Sequence, residues 1–425
     1  MDDFSEHTFK QWCGLYKRLI LDDAQRLGQL IASCSNQEFQ HYLYTECNIS
    51  NFLTQDITTN HDYLNAYGCL IQLEQRYKQI PTASLLHGIV EQTVHNQRYI
   101  LVKHESSAIS KAIPESNRFK PAKQLGTQGF IKLCYHWLKV EHSTQFDCRR
   151  SDSLNALLTR KHINIGFAPL ANHKDMQWQY DVGDLRADGR MPFWCANAQN
   201  ELELSDKMKS ALTTAYEQKV DILLLPELIV TEALLTAIQA WLRQHNAFEP
   251  VIRLVVAGSR HLHNDNKHNQ FSNCCTVLNA FGDIEWQQEK RQPFNLTELE
   301  AHKLLNHKQA AFEPTQLANT VTLRLTALGL TATPICLDFF HDSLWQELPI
   351  QVLLVPAMSP NLERFHQHCA YIGKEHLSSA FICNAEPNNK DNAVYAYIPS
   401  KKSKQGLETA GDHPLFTVEI DIDMN

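Results

Sequence analysis

The chain has 425 residues, of which 43% are hydrophobic and 20% charged, and its formal net charge is −8 at pH 7. These values are typical of globular proteins and exclude a disordered or fibrous chain. No apolar run approaches the roughly 18 residues that a membrane-spanning helix requires, so no membrane partner is expected, and the length predicts two domains because one core rarely serves so many residues.

Residues 1–159 have the pattern of an all-α domain. The acidic start of this region lacks the basic and apolar segments of a secretory signal, which favours a cytoplasmic protein. Apolar residues recur at helical spacing in 9–31 and 63–73, and further helical patterns cover roughly 82–102 and 124–141. No spacing typical of a catalytic site occurs here, so the role of the region is not predicted.

Residues 103–160 contain more Lys and Arg than Asp and Glu, whereas the rest of the chain is acidic. A solvated basic face is the favoured interpretation, and binding of an anionic partner is the alternative. Nucleic acid is therefore disfavoured as a partner but is not excluded for 103–160.

The twelve cysteines are scattered at irregular spacings, with no Cys-x-x-Cys pair. This distribution, without a secretory signal, predicts reduced thiols and neither a disulfide framework nor a zinc site. Three histidines, His261, His263 and His268, lie in sequence rich in Asn and Asp, which indicates a surface loop more than a metal site.

Residues 160–425 differ from the helical pattern of residues 1–159, because strand patterns alternate here with helix patterns. Strand patterns occur at 163–167, 222–225, 251–257, 272–279, 320–328, 330–336, 351–355 and 380–383. Helical patterns occur at 202–218, 230–244, 297–307, 342–347 and 361–378. This alternation predicts a layered α/β domain that is large enough to have a core of its own.

A long insertion, residues 171–200, separates the first strand from the first helix of this domain. A loop of that length in a compact domain is usually functional or disordered. Its aromatic residues favour an ordered lid or pocket wall; they are Trp178, Tyr180, Phe193 and Trp194.

Three reactive side chains stand near the ends of predicted strands: Glu227, Lys290 and Cys336. A thiol is mostly protonated at neutral pH and needs a base within hydrogen-bond reach, a role that Glu227 can fill. Attack of Cys336 on an amide or nitrile carbon produces an anion that the Lys290 ammonium can stabilise. The three residues together therefore predict covalent catalysis.

Each of these residues also has a purely structural interpretation. A cysteine at a strand end is commonly a small buried hydrophobic residue, and Glu227 could be a helix-start residue favoured by the helix dipole. Lys290, between Glu289 and Arg291, could lie in a solvated turn. The surrounding motifs and their order favour the catalytic interpretation.

Those motifs resemble the carbon–nitrogen hydrolase, or nitrilase, superfamily over residues 163–425. The matching segments are Ile163–Phe167, Pro226-Glu227, Gly258-Ser259, Asn273 followed by Gly282, Lys290, Cys336-Leu337-Asp338, Val352–Pro356, Phe381–Asn384 and Leu415–Asp421. The resemblance implies a four-layer αββα sandwich, without a metal or organic cofactor, that pairs into a homodimer or a higher homo-oligomer.

The resemblance also implies a catalytic triad of Glu227, Lys290 and Cys336, with the backbone N–H of Leu337 as a second donor to the oxyanion. Members of the superfamily often use a second glutamate between the lysine and the cysteine. Glu313 has the best spacing for that position, and the alternatives are Glu298 and Glu300.

Two departures from the family pattern affect the substrate. Leu337 replaces the usual aromatic residue after the cysteine, and Gln292-Pro293-Phe294 follows the lysine where His-Leu is common. Family nitrile hydrolysers tend to carry Cys-Trp-Glu, so a small amide or carbamoyl substrate is favoured over a nitrile. The alternative function is a regulatory or binding module in which the helical domain engages a protein or nucleic acid.

Overall fold

The structure is a computed structural model. It describes residues 11–12, 14–22, 24–35, 37–38, 41–42, 52–53, 56–77, 91–94, 97–103, 135–140, 144–263, 271–315, 318–341, 350–360, 362–376, 378–385, 393–399, 408–409 and 415–421. The chain divides into two compact units, and among the described residues the first unit comprises those up to 140 and the second those from 144. A strand at Gln145–Arg150, before the predicted division at 159/160, belongs to the second unit.

The first unit begins with helices. A π-helical turn, Lys17–Leu21, is followed by α1 (Ala24–Ser33) and α2 (Asn60–Tyr77), where apolar spacing predicts helices. Buried side chains in this part of the unit include Trp12, Leu15, Tyr16, Leu19, Leu27, Ile31, Tyr67 and Leu70. The rings of Trp12 and Tyr16 lie 4.9 Å apart between centroids, so this end of the unit has a packed apolar interior.

The rest of the first unit corrects the prediction of an all-α domain. Three antiparallel strands, β1 (Glu91–Val94), β2 (Gln97–Lys103) and β3 (Tyr135–Val140), form a sheet in the order β1-β2-β3. They lie within the segments 82–102 and 124–141, for which helices were predicted. Short apolar runs such as 99–102 fit a strand as well as a helix, and pairing with a neighbouring strand decides between them.

The second unit contains seventeen strands among its described residues. They are β4 (Gln145–Arg150), β5 (His162–Phe167), β6 (Met176–Tyr180), β7 (Met191–Ala198), β8 (Ile222–Leu224), β9 (Leu254–His263), β10 (Phe271–Asn279), β11 (Ile284–Glu289), β12 (Asn295–Leu296), β13 (Ala311–Phe312), β14 (Thr320–Thr326), β15 (Gly329–Ala332), β16 (Val352–Ala357), β17 (Ser379–Asn384), β18 (Val394–Tyr397), β19 (Glu408–Thr409) and β20 (Phe416–Asp421). They form three sheets, ordered β11-β10-β9-β8-β5-β20-β19, β18-β17-β16-β15-β14-β4 and β12-β13-β7-β6.

Helices alternate with these strands. They are α3 (Glu201–Glu217), α4 (Glu232–His245), α5 (Glu298–Leu305), α6 (Asp338–His341) and α7 (Glu363–His376), with short 3₁₀ turns at Asn155–Thr159 and His173–Asp175. Asn200, Thr231 and Thr297 cap the first three of these helices with their side-chain oxygens. The predicted α/β fold of this half is therefore confirmed.

The two largest sheets of the second unit face each other. Trp286 of β11 donates from its indole N–H to Thr333 Oγ1 at 3.2 Å, and Thr322 of β14 donates to the carbonyl of Gln287 at 2.8 Å. Apolar residues of α3 and α4 form one buried cluster with the outer face of the seven-stranded sheet, and α7 contacts β17 and β18 of the other sheet. The layers run helix, sheet, sheet, helix.

The insertion 171–200 contains two strands, β6 and β7. β6 and β7 pair as an antiparallel hairpin, and β7 continues in parallel with β13 to complete the four-stranded sheet. Met191, Phe193, Leu296 and Ala301 bury their side chains in a small core of their own. The insertion is thus ordered, as its aromatic residues predicted, and its role as a lid or pocket wall stays a prediction.

Some predictions fall outside the described residues, namely the helix at 342–347 and residues 104–134 of the basic region. Eight of the described cysteines are free thiols, whereas Cys69 is disulfide-bonded, so the prediction of reduced thiols throughout is wrong for Cys69. None of the helices in the described part of the chain has the length and apolar character needed to cross a membrane.

Candidate active site

Glu227 lies three residues after the end of β8, where the chain turns away from the seven-stranded sheet. Its N–H donates to the carbonyl of Ala357 at 3.3 Å, and only 2% of the residue is exposed. Gly258, with φ of +60°, allows β9 to approach this turn: a Cβ at that position would lie 2.1 Å from the Pro226 carbonyl oxygen. No side chain fits there, so the glycine of the Gly258-Ser259 motif supports the turn that holds Glu227.

Lys290 lies directly after β11 and is one of the largest fully buried side chains among the described residues. Its Nζ lies 2.7 Å from Glu227 Oε1 and 2.8 Å from Glu313 Oε2. Burial alone would lower the pKa of the ammonium, but the charges of Glu227 and Glu313 raise that pKa well above its ordinary value. The solvated turn considered for Lys290 is therefore excluded, and the residue is a buried cation.

Cys336 follows β15 at a sharp turn into α6. Its φ is +47°, a left-handed conformation that costs a non-glycine residue roughly 1–2 kcal/mol. Its N–H donates to the Pro356 carbonyl at 3.0 Å, and its carbonyl accepts from the Phe339 N–H at 3.1 Å. The turn directs the thiol to the carboxylate of Glu227 and the N–H of Met358. The neighbouring strand β16 therefore holds Cys336 in a strained backbone conformation.

Glu313 lies directly after β13, and its carboxylate is the second one that contacts the Lys290 ammonium. The other two alternatives lie elsewhere: Glu298 and Glu300 are exposed on the first turn of α5, and Glu300 closes a capping box with Thr297. The structure therefore brings Glu313 into the cluster and leaves both alternatives out.

The two glutamates of the cluster have different hydrogen bonds. Glu313 accepts four, from His261 Nε2 at 2.9 Å, Asn273 Nδ2 at 2.8 Å, Lys290 Nζ at 2.8 Å and the Phe294 N–H at 2.9 Å. Glu227 accepts from Lys290 and Asn273 on Oε1, and from the Met358 N–H on Oε2 at 3.0 Å. Both oxygens of Glu313 are thus saturated, whereas Glu227 also faces the thiol.

The pKa values of Glu313 and of the Cys336 thiol are shifted in opposite directions. Burial by itself raises the pKa of Glu313, yet Lys290 and the hydrogen bond from His261 hold that pKa far below its usual value. Burial raises the pKa of the Cys336 thiol well above normal, and the charge of Glu227 raises it further against the opposing effect of Lys290. The resting cluster therefore contains a charged Glu313, a charged Lys290 and a protonated thiol beside Glu227.

Asn273 links the two carboxylates. Its side-chain amide is fully buried on β10, and Nδ2 donates to Glu227 Oε1 at 3.1 Å and to Glu313 Oε1 at 2.8 Å. Two carboxylate neighbours fix which end of the amide is nitrogen, because the amide oxygen would repel both. The sequence motif contained Asn273 but did not indicate this bridging position.

His261 corrects a prediction. The sequence placed it with His263 and His268 in a surface loop, but it lies on β9 with its side chain fully buried beside Glu313. His268 lies outside the described residues, and His263 is exposed at the end of β9. β9 continues through His261, which pairs with Asn273 of β10, and the polar sequence after it concealed the strand.

Asp338 joins the turn that carries Cys336 to the segment that follows Lys290. Its fully buried carboxylate accepts from the backbone N–H groups of Arg291 at 3.1 Å and Gln292 at 2.7 Å. Leu337, the predicted oxyanion donor, is half-buried between Cys336 and Asp338 at the start of α6. The last residue of the Cys336-Leu337-Asp338 motif thus fixes the position of the chain just after Lys290.

The arrangement can deliver a thiol, a neighbouring base and a fixed cation to one carbon atom. Among the residues that the structure describes, no group of three or more His, Cys, Asp or Glu side chains is arranged to hold a metal ion.

Comparisons with known proteins give matches among solved structures. No protein-family model matches the chain, and no curated protein sequence matches it. Saccharomyces cerevisiae Nit3, a member of branch 10 of the nitrilase superfamily, is 12% identical over 62% of this chain and 92% of its own, with a TM-score of 0.40. A Nesterenkonia amidase from the nitrilase superfamily is 13% identical over 61% and 91%, with a TM-score of 0.41.

The Caenorhabditis elegans NitFhit protein is 14% identical over 61% of this chain and 61% of its own, with a TM-score of 0.43. The solved structures to which the chain is similar thus include members of the superfamily whose motifs the sequence resembles.

Proposed function

We propose that the chain is a cysteine-dependent hydrolase of a non-peptide carbon–nitrogen bond, acting on a small amide or carbamoyl compound through a thioester. The observation that carries the proposal is the position of Glu227, whose one carboxylate contacts both the Lys290 ammonium and the Cys336 thiol. A base, a cation and a nucleophile that share one buried cluster are the parts that acyl transfer to sulfur requires.

In the first step the Cys336 thiol gives its proton to Glu227 as its sulfur bonds to the carbonyl carbon. Because the pKa of the thiol is raised, proton transfer accompanies attack and does not precede it. The carbonyl oxygen becomes an anion. The Lys290 ammonium and the backbone N–H of Leu337 stabilise it, and loss of one such donor typically costs about 10²–10³-fold in rate.

In the second step the carbon–nitrogen bond breaks. Glu227 returns the proton to the departing nitrogen, which leaves as ammonia or an amine, and the acyl group stays on Cys336 as a thioester. A water molecule then loses a proton to Glu227 and attacks the thioester carbon. The carboxylic acid departs, and the thiol recovers its proton, so each cycle consumes one water.

Glu313 fits a supporting role in this scheme and not that of the base. Its four hydrogen bonds leave no lone pair directed at the thiol, and its pKa is held low. A carboxylate in that condition is a poor proton acceptor but a strong anchor for Lys290.

An amide or carbamoyl substrate is proposed over a nitrile because Leu337 stands where nitrile hydrolysers of the superfamily tend to carry tryptophan. A dimer or higher homo-oligomer is proposed from the same resemblance. Light scattering coupled to size-exclusion chromatography measures the assembly directly.

The proposal is tested by a screen of small amides and carbamoyl compounds with ammonia release as the readout. Cys336→Ala should abolish release from any compound that the wild-type protein hydrolyses, and Cys336→Ser should be nearly inactive because a carboxylate is a poor base for a hydroxyl. Cys369→Ala is a matched control, since it removes a buried thiol of α7 outside the cluster. Release that persists in Cys336→Ala would exclude the mechanism.

A further inference from the structure

One buried histidine joins the insertion to the catalytic cluster. His261 Nδ1 accepts a hydrogen bond from the Cys195 N–H of β7 at 3.0 Å, and its Nε2 lies 2.9 Å from Glu313 Oε1. The side chain is fully buried, so water does not compete for either nitrogen. The ring therefore spans the distance between β7 and the glutamate that contacts Lys290.

These two contacts define the protonation state of the ring. A backbone N–H can only donate, so Nδ1 carries a lone pair and no proton. The carboxylate of Glu313 can only accept, so Nε2 carries the proton. His261 is thus a neutral imidazole with its proton on Nε2, and it contributes a donor to Glu313 without adding a charge to the cluster.

Cys195 ties β7 to the cluster at a second point. Its thiol lies 3.5 Å from the carbonyl oxygen of Leu228, the residue after the proposed base, Glu227. Leu228 has φ of +58°, which fixes the turn in an uncommon conformation. Cys195 of β7 therefore contacts the segment of Glu227 directly, through the Leu228 carbonyl. It is linked to Glu313 through His261.

We propose that His261 is a positioning residue that holds Glu313 in place against Lys290 by donating from Nε2, and that it ties strand β7 to the cluster through Nδ1. The proposal rests on the hydrolase function proposed above and adds a residue to it. The hydrogen bonds of His261 are with Cys195 and Glu313. Its effect on the reaction passes through Glu313 to the orientation of the Lys290 ammonium.

Two variants separate the two nitrogens. In His261→Gln the side-chain amide nitrogen occupies nearly the position of Nε2 and can still donate to Glu313. In His261→Asn the shorter side chain reaches only the position of Nδ1, so it can accept from Cys195 but leaves Glu313 without this donor. His263→Gln is the control, because His263 lies two residues further along β9 and is exposed.

With an amide that the wild-type protein hydrolyses, His261→Asn should lower kcat by about 10- to 100-fold, the usual effect of losing a hydrogen bond to a charged group. Its KM should change much less, because the donor acts on the developing oxyanion through Lys290. His261→Gln should recover most of the lost kcat, and His263→Gln should match the wild-type protein. Equal loss in the Asn and Gln variants would show a merely structural role and would overturn the proposal.

The tautomer is measured without any substrate. Long-range ¹H–¹⁵N correlation spectra of deuterated protein should contain one imidazole with a bare Nδ1 and a protonated Nε2 whose signals vanish in His261→Gln. A doubly protonated ring or a proton on Nδ1 would overturn the proposal even if the enzyme is active. Absence of amide turnover in the wild-type protein, with this tautomer present, would instead count against the proposed hydrolase function alone.

Discussion

Lys290 Nζ lies 2.7 Å from Glu227 Oε1, and both side chains are at most 3% exposed. A second carboxylate, that of Glu313, lies on the other side of the same ammonium at 2.8 Å. Two buried anions thus surround one buried cation. Because charges interact strongly in a poorly solvated interior, removal of the ammonium would leave two uncompensated carboxylates in the cluster.

The first prediction concerns the cation. Lys290→Met keeps the length of the side chain and removes its charge, which leaves two carboxylates facing each other in the interior. We expect kcat to fall by at least about 10²-fold and the free energy of unfolding to fall by roughly 3–5 kcal/mol. Steady-state kinetics and urea denaturation measure the two effects.

Lys207→Met is the control for that variant. Lys207 pairs with Glu203 on the surface of α3, with 41% of its side chain exposed. Exposed pairs of this kind contribute little to stability, so kinetics and unfolding should stay near wild-type values. Similar losses of kcat and of unfolding free energy in Lys290→Met and Lys207→Met would contradict a specific role for the buried Lys290 charge.

The second prediction separates Glu313 from its sequence neighbours. Glu313→Gln removes one of the two charges that hold Lys290, and about 10²-fold of kcat should be lost as the ammonium loses its anchor. Glu300→Gln should be nearly silent, since glutamine also completes the capping box with Thr297. Equal activity in both variants would remove Glu313 from the proposed site.

The third prediction is a pH dependence of stability. The pKa of Glu313 is lowered in the folded state, so its contribution to stability is complete above the ordinary glutamate pKa of about 4.3 and is lost as the pH falls below it. Urea unfolding of the wild-type protein and of Glu313→Gln between pH 3 and pH 7, roughly the range over which carboxylates titrate, should show a steeper acid loss in the wild-type protein. The same pH dependence of stability in the wild-type protein and in Glu313→Gln would contradict a lowered pKa for Glu313.

The fourth prediction concerns the reactivity of Cys336. Burial and the charge of Glu227 raise the pKa of the thiol, so alkylation of Cys336 by iodoacetamide should reach its half-maximal rate above pH 9, the region of an ordinary thiol pKa or higher. Glu227→Gln removes the neighbouring negative charge and should shift this midpoint to lower pH, while amide turnover falls because the proton carrier is lost.

Mass spectrometry of peptides containing Cys336, after timed alkylation across a pH series, measures that midpoint. An unchanged midpoint in Glu227→Gln would mean that the carboxylate does not act on the thiol, and the same variant with full turnover would exclude Glu227 as the base.

The fifth prediction concerns the turn that carries Glu227. Gly258→Ala places a Cβ 2.1 Å from the Pro226 carbonyl oxygen, an overlap with backbone that no rotamer relieves. The turn must shift, and both stability and kcat should fall, the former by roughly 2 kcal/mol or more. Gly189→Ala is the matched control, because Gly189 also has positive φ but its Cβ would meet no atom within 4 Å.

Much of the site was accessible from the sequence because its residues follow strands. Glu227, Lys290 and Cys336 each stand directly after or near the end of an apolar or alternating segment, and strands deliver their terminal residues to one edge of a layered domain. Glu313 was the best of three alternatives on spacing alone. The structure separates the three, because Glu313 contacts Lys290 whereas Glu298 and Glu300 are exposed on α5.

The less accessible parts depend on contacts between distant segments. The strands β1, β2 and β3 were predicted as helices because a short apolar run fits both periods until a partner strand pairs with it. His261 was placed in a loop because the polar sequence after it concealed the end of β9. Neither Asn273 nor Asp338 could be assigned a partner without the tertiary structure.

By itself the sequence determined the α/β character of residues 160–425 and predicted which three side chains form a site, since both depend on local periodicity and residue type. The tertiary structure decided how those side chains are charged. Glu313 is saturated with donors, Glu227 is left facing the thiol, and His261 contacts both Cys195 and Glu313, because segments up to 131 residues apart supply these hydrogen bonds. Burial makes those states costly to change, and that is a property of the folded chain alone.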